Sequence, residues 1–225
     1  MKKSLLSVLL ITAALAVMLV SYFKTDKKKP LRVLPFYGEQ KVDSILKSGE
    51  YAKDTIYHTV QDFSFVNQEG KTITQKDLDG SVYIADFFFT TCQSICPIMS
   101  TQMEKVAQAF ATNNQVKILS HTVNPENDSV PVLAEYAHLH HANASQWWFV
   151  TGSKKELYNL ARTGYYLNAQ EGDGGPDDFI HTQNFALVDK EKHIRGYYDG
   201  TNPKEIEQLI NDIKLLLKEY EFKAS

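Results

Sequence analysis

The spacing of apolar positions changes several times along the chain, and each change predicts an element. Residues 4–23, SLLSVLLITAALAVMLVSYF, contain no charge and no proline. About 20 apolar residues cross a hydrocarbon core of about 30 Å, so 1–23 is expected to be a transmembrane anchor. Residues 24–50 mix Pro30, Pro35 and the lysines at 27, 28 and 29, and read as a tether with room for one short strand. A globular pattern begins near Tyr57, which makes 51–225 the folded domain. HTVQDFSFVNQEGKTIT alternates apolar and polar positions about residues 67–70 and predicts a hairpin. SVYIADFFF, at 81–89, is a nearly continuous β-branched and aromatic run, as in a strand buried on both faces.

Beyond it, Met99, Met103, Val106 and Phe110 form one helical stripe over 97–113. VKILSHTV predicts a second strand, 130–141 a helix, and QWWFVT a third strand. Ser153 with Glu156 has the spacing of a capping box for a helix running through Ala161. GDGGPDD at 172–178 is a loop. NFALVD and HIRGYYDG read as paired strands across a polar turn at 189–192. From Asn202 to Tyr220 an amphipathic helix places Ile206, Leu209, Ile210, Ile213 and Leu216 to one side. The alternation of strands and helices predicts an α/β fold whose parallel sheet core is flanked by helices on both faces.

A net charge of −3 over 225 residues gives no basic footprint for nucleic acid, so no nucleic-acid partner is expected. The apolar run at 4–23 is longer than a signal-peptide core and ends in Tyr22 and Phe23, an aromatic pair suited to the membrane interface. No cysteine lies near residue 20 to carry a lipid. Lys24, Lys27, Lys28 and Lys29 outnumber Lys2 and Lys3 across the run, which by the positive-inside rule would keep the domain in the cytoplasm. Large domains are exported despite flanking charge, and the cysteine chemistry argues for export.

That chemistry rests on Cys92 and Cys96, the only cysteines, in TTCQSICPIMS. Pro97 is tolerated only in a first helical turn, so a helix is expected to start near Cys96, where the macrodipole favours a thiolate. A structural disulfide here would close only a short loop and constrain the unfolded chain little. Beside that bland reading stand two sharper ones, reversible dithiol exchange and metal binding. Two thiolates suit Cu(I), and an added imidazole would also allow Cu(II). His181, just after the glycine-rich acidic loop and before NFALVD, is the best candidate third ligand. His138, His140 and His141 form a rival cluster that reads as a solvated helix end, with His138 and His141 spaced to share a face. His121 is expected to be buried in its strand, and His58 and His193 carry no pattern.

At these residues the chain resembles the Sco/SenC family, thioredoxin-like proteins associated with copper delivery to cytochrome c oxidase. The similarity covers about residues 57–220, and the anchor is typical of that family. The family's Cys-x-x-x-Cys-Pro after an aromatic strand is present as FFFTTCQSICP, its Thr-Val-Asp-Pro segment as HTVNPENDS, and its Leu-Thr-Gly-Thr as FVTGS. Its distal histidine looks like His181 in FIHTQNFALVDKEKHIRGYYDG. The resemblance implies a thioredoxin-like central sheet and copper, as Cu(I), Cu(II) or both, held by Cys92, Cys96 and His181. It implies a copper-receiving oxidase subunit and thiol–disulfide exchange partners. The domain would sit on the extracytoplasmic side of a bacterial-type cytoplasmic membrane, held by the N-terminal helix. The alternative is a thiol–disulfide oxidoreductase, either a reductase of target cysteines or a thiol peroxidase, in which Cys92 and Cys96 are catalytic and His181 tunes them. The chain departs from the family at Ile180, where an acidic residue usually precedes the histidine. It also departs at Gln93 and Ser94, in place of proline and an acidic residue, and at Asn124, in place of aspartate. Asp177 and Asp178 are candidates for the missing carboxylate.

Overall fold

Strand β5 (Val82–Phe88) is buried along its whole length and separates two cores. Val82, Ile84 and Phe88 point to one face, while Tyr83, Ala85 and Phe87 point to the other. The continuous apolar run is needed because alternate side chains enter different cores. The computed structural model describes residues 33–47, 50–167 and 182–224, all within one compact unit, Val33–Ser225. The anchor expected at 1–23 lies outside the described residues. Among these residues no helix is long and apolar enough to cross a membrane.

The other strands are β1 (Gln40–Lys47), β2 (Glu50–Tyr57), β3 (Ser64–Asn67), β4 (Thr72–Thr74), β6 (Val116–Thr122), β7 (Trp147–Thr151), β8 (Asn184–Val188) and β9 (Ile194–Asp199). The helices are α1 (Ile95–Ala109), α2 (Val130–Leu139), α3 (Lys154–Asn159) and α4 (Pro203–Ala224). Seven strands form one sheet in the order β4-β3-β7-β6-β5-β8-β9. Strands β5, β6 and β7 are parallel, joined by crossovers through α1 and α2. The expected parallel core is therefore three strands wide. The sheet is mixed, because β3 and β4 pair antiparallel on one side and β8 and β9 on the other. The turns at 67–72 and 189–193 are too short for anything but an antiparallel return. α1, α2 and α4 cover one face, with Met99, Met103, Val106, Leu133, Leu209 and Ile213 in its core. α3 and the π-turn Leu160–Gly164 cover the other face through Leu157, Tyr158 and Leu160.

Several local details differ from the sequence expectations. Ser153 begins α3, but its side chain makes no capping hydrogen bond. Ser153 and Glu156 are both exposed, so water can satisfy the first amides of that helix. α3 ends at Asn159 and passes into the π-turn instead of continuing to Ala161. Two eight-residue strands, β1 and β2, occupy 40–57 as an antiparallel hairpin, where the pattern left room for one short strand.

The residues just before this hairpin are bound into the domain. Leu34 is buried, and Tyr37 bridges to Ile194. Arg195, 1% exposed, donates from Nη2 to the Leu34 carbonyl at 2.7 Å and from Nε to that of Pro35 at 3.1 Å. Its guanidinium lies 4.2 Å from the Phe36 ring centre. Two buried carboxylates pair with it, Asp189 at 2.8 Å and Glu219 at 3.2 Å, and Glu219 also meets Lys223 at 3.1 Å. His193 fastens the hairpin base: its Nδ1 lies 2.8 Å from the His58 carbonyl, and Phe36 and Tyr57 meet its ring edge-on.

Candidate functional site

Cys92 and Cys96 lie where β5 gives way to α1, beyond the carboxyl end of a parallel strand, where open α/β sheets place their ligands. α1 begins at Ile95, so Cys96 occupies its first turn as Pro97 required. Both cysteines are free thiols; Cys96 is buried and Cys92 partly exposed. The Cys96 amide donates to the Cys92 sulfur at 3.5 Å, and the Ser94 hydroxyl lies 3.6 Å from it. The sulfur that receives the helix-start amide is thus Cys92.

This reverses the expectation that Cys96 is the favoured thiolate. Partial burial opposes ionisation of Cys92, but hydrogen bonds from the Cys96 thiol, the Cys96 and Ser94 amides and the Ser94 hydroxyl outweigh it and bring its pKa down to about 7. Burial pushes Cys96 up to about 12, helped by the hydrogen bond it donates to Cys92. A thiolate is the reactive form, so iodoacetamide is expected to label Cys92 well before Cys96 in the reduced, metal-free protein. The labelling rate should rise with pH to a plateau, with its midpoint near 7. Peptide mapping of a pH series checks this; first modification at Cys96 would contradict it.

The histidines separate clearly. His181 lies outside the described residues, which resume at Thr182. β8 then begins at Asn184, level with the end of β5, because Ala186 pairs with Ala85 and Val188 with Tyr83. The chain therefore re-enters the sheet from the cysteine end. Among the described residues no group of three or more His, Cys, Asp or Glu side chains could hold a metal ion.

The rival cluster at 138–141 is not a site of that kind. α2 stops at Leu139 and His141 has φ +51°, so His138 and His141 share no helical face. His140 is buried rather than solvated, with Nδ1 2.7 Å from Glu104. His121 is fully buried, as expected, and stacks on Phe87 at 4.7 Å. His58 holds the Gly164 carbonyl through Nε2 at 2.8 Å.

Two buried carboxylates near the cysteines were not identified from sequence. Asp86, on β5, accepts a hydrogen bond from Ser120 Oγ. Burial pushes its pKa up to about 7 against that bond. Asp128 accepts hydrogen bonds from the Thr90 and Thr122 hydroxyls and, at 3.3 Å, from the Thr90 amide. The available sequence signal for Asp86 was one acid inside an otherwise apolar strand; for Asp128 it was an acid following Asn127 in the polar stretch after β6.

A mixed sheet with helices on both faces and a dithiol opening the helix after the interior strand β5 define a thioredoxin-like dithiol domain. The chain belongs to the SCO1/SenC family, whose model matches residues 52–218. The SCO1 protein homolog of Bacillus subtilis is 33% identical over 168 residues, covering 74% of this chain and 86% of that protein. BsSco, described as a member of the Sco family of cytochrome c oxidase assembly proteins with a disulfide switch, superposes with a TM-score of 0.61 at 31% identity, over 71% of this chain and 93% of that one. ScoI of Arabidopsis thaliana, solved with copper bound, shares the fold with a TM-score of 0.56 at 24% identity, over 70% of this chain and 99% of that one.

Proposed function

We propose that this protein binds copper through Cys92, Cys96 and His181 and passes it to the copper site of a cytochrome c oxidase subunit. The observation that carries this reading is the paired thiols at the start of α1, one of them with its pKa brought down to about 7. Two such sulfurs suit a soft cation such as Cu(I), and an imidazole would extend the range to Cu(II). The donor set fits the cargo. Metal binding would displace the proton buried on Cys96, and ligand exchange with the recipient's thiols would complete delivery. The likeness to BsSco, a member of the Sco family of cytochrome c oxidase assembly proteins, supports the assignment. A single-pass anchor at 1–23 with the domain on the extracytoplasmic side would place the thiols beside a membrane oxidase.

The test is metal titration under anaerobic conditions. The reduced chain should take up about one Cu(I) and the disulfide form none, since a disulfide has no thiolate to offer. Equal uptake by both forms would overturn the reading.

A second reading has its own observation, the split between a Cys92 thiol near 7 and a Cys96 thiol near 12. That pairing suits an attacking and a resolving thiol in disulfide exchange. Turnover of a protein disulfide in the presence of a copper chelator would favour it, and the same dithiol can serve both roles.

A further inference from the structure

We propose that Asp128 is a positioning residue that holds the cysteine loop in place through Thr90. The carboxylate is fully buried in the loop between β6 and α2, where the Asp128 amide donates to the Asn124 carbonyl at 2.9 Å. Its two oxygens accept hydrogen bonds from the Thr90 hydroxyl and amide on one side and from the Thr122 hydroxyl on the other. Thr122 in turn accepts the Asn124 amide at 2.9 Å, so its own proton is free to point at Asp128. Three donors thus converge on a group that only accepts, and an amide side chain would bring a donor against donors.

Thr90 is two residues before Cys92, with only exposed Thr91 between them. Within the turn carrying the first sulfur the Cys92 amide donates to the Phe89 carbonyl at 3.2 Å, the Cys96 amide ties its sulfur to α1, and the grip of Asp128 ties its backbone to the loop after β6. The strand ends beneath are joined separately, by the Val123 amide to the Phe88 carbonyl at 2.8 Å. Releasing Thr90 therefore frees the sulfur-bearing turn while leaving β5 and β6 paired. A carboxylate serving stability alone would act equally through Thr90 and Thr122.

The proposal rests on the reading of Cys92 and Cys96 as the working pair, and its test uses no copper, so each can fail without the other. The full metal-free chain is equilibrated with reduced and oxidised glutathione. In this exchange the Cys92 and Cys96 thiols lose two protons and two electrons and form an S–S bond. One oxidised glutathione accepts both and is cleaved to two thiols. The equilibrium constant reads how well one sulfur is presented to the other. Thr90→Val and Asp128→Asn are expected to lower it by about tenfold, as displacement of a reacting group does. Thr90→Ser, which keeps the hydroxyl, should restore it. Thr122→Val should stay within about twofold of the parent, even where its urea midpoint falls as far as that of Thr90→Val. Parent-like equilibria in both Thr90→Val and Asp128→Asn, or an equal drop in Thr122→Val, would overturn the proposal. If Asp128→Asn does not fold, the Thr90→Val and Thr90→Ser pair decides it.

Discussion

Cys92→Ser is expected to abolish tight Cu(I) binding while leaving the fold intact. The substitution removes one sulfur from a partly exposed position and supplies an alcohol, which does not ionise near neutral pH and is a hard donor for a soft ion. Cys96→Ser should have the same effect on the metal, with an added stability cost because Cys96 is buried against the core that contains Met99 and Phe88. His181→Ala tests the third ligand. Loss of a group that merely supports a ligand costs about 10–100-fold in affinity, and loss of a ligand should cost at least that. Competition titration against a Cu(I) chelator measures all three variants. Unaltered affinity in His181→Ala would remove that residue from the site and leave a two-sulfur centre.

The largest effect on stability is expected at Arg195. Its guanidinium is shared by Asp189, Glu219, two backbone carbonyls and the Phe36 ring. Arg195→Met keeps the aliphatic stem, strands the buried Asp189 carboxylate and leaves Glu219 with Lys223, a half-exposed partner at 3.1 Å. Breaking a buried pair in this way costs about 3–5 kcal/mol, because the uncompensated charge stays in a poorly solvated place. The urea midpoint should fall accordingly, and protease should cut near Leu34 and Pro35, whose carbonyls have lost their donor. The combined variant Arg195→Met, Asp189→Asn, Glu219→Gln should regain much of the loss, since no buried charge is left alone. Asn at 189 keeps the oxygen that accepts the Glu191 and His193 amides. A single variant as stable as the parent would show that these charges contribute little.

What was legible in the chain follows from how local each determinant is. The run at 81–89 and the stripe Met99, Met103, Val106, Phe110 are periodic patterns of a few turns or one strand, and they became β5 and α1. Pro97 placed the helix start because its ring forbids almost any other position. The sulfur holding the lower pKa was misread because that depends on which atom meets the Cys96 amide and how deep each thiol lies. Neither is a property of spacing. Likewise His140 became a buried residue hydrogen-bonded to Glu104, 36 positions away. The β1–β2 hairpin was missed because the apolar residues of 40–57, among them Val42, Ile45, Leu46 and Ile56, follow no alternation of two along the sequence.

The placement of the Arg195 clamp has a mechanical consequence. Tyr37 meets Ile194, Ile194 pairs with Val188, and Val188 pairs with Tyr83 near the start of β5. The backbone thus enters the domain at the pole opposite the two sulfurs. A pull arriving through residue 33 would be borne by the sheet edge and by Asp189, Arg195 and Glu219, while the sulfur pole stays unloaded. The polypeptide can be tugged at one end without disturbing the geometry of the other.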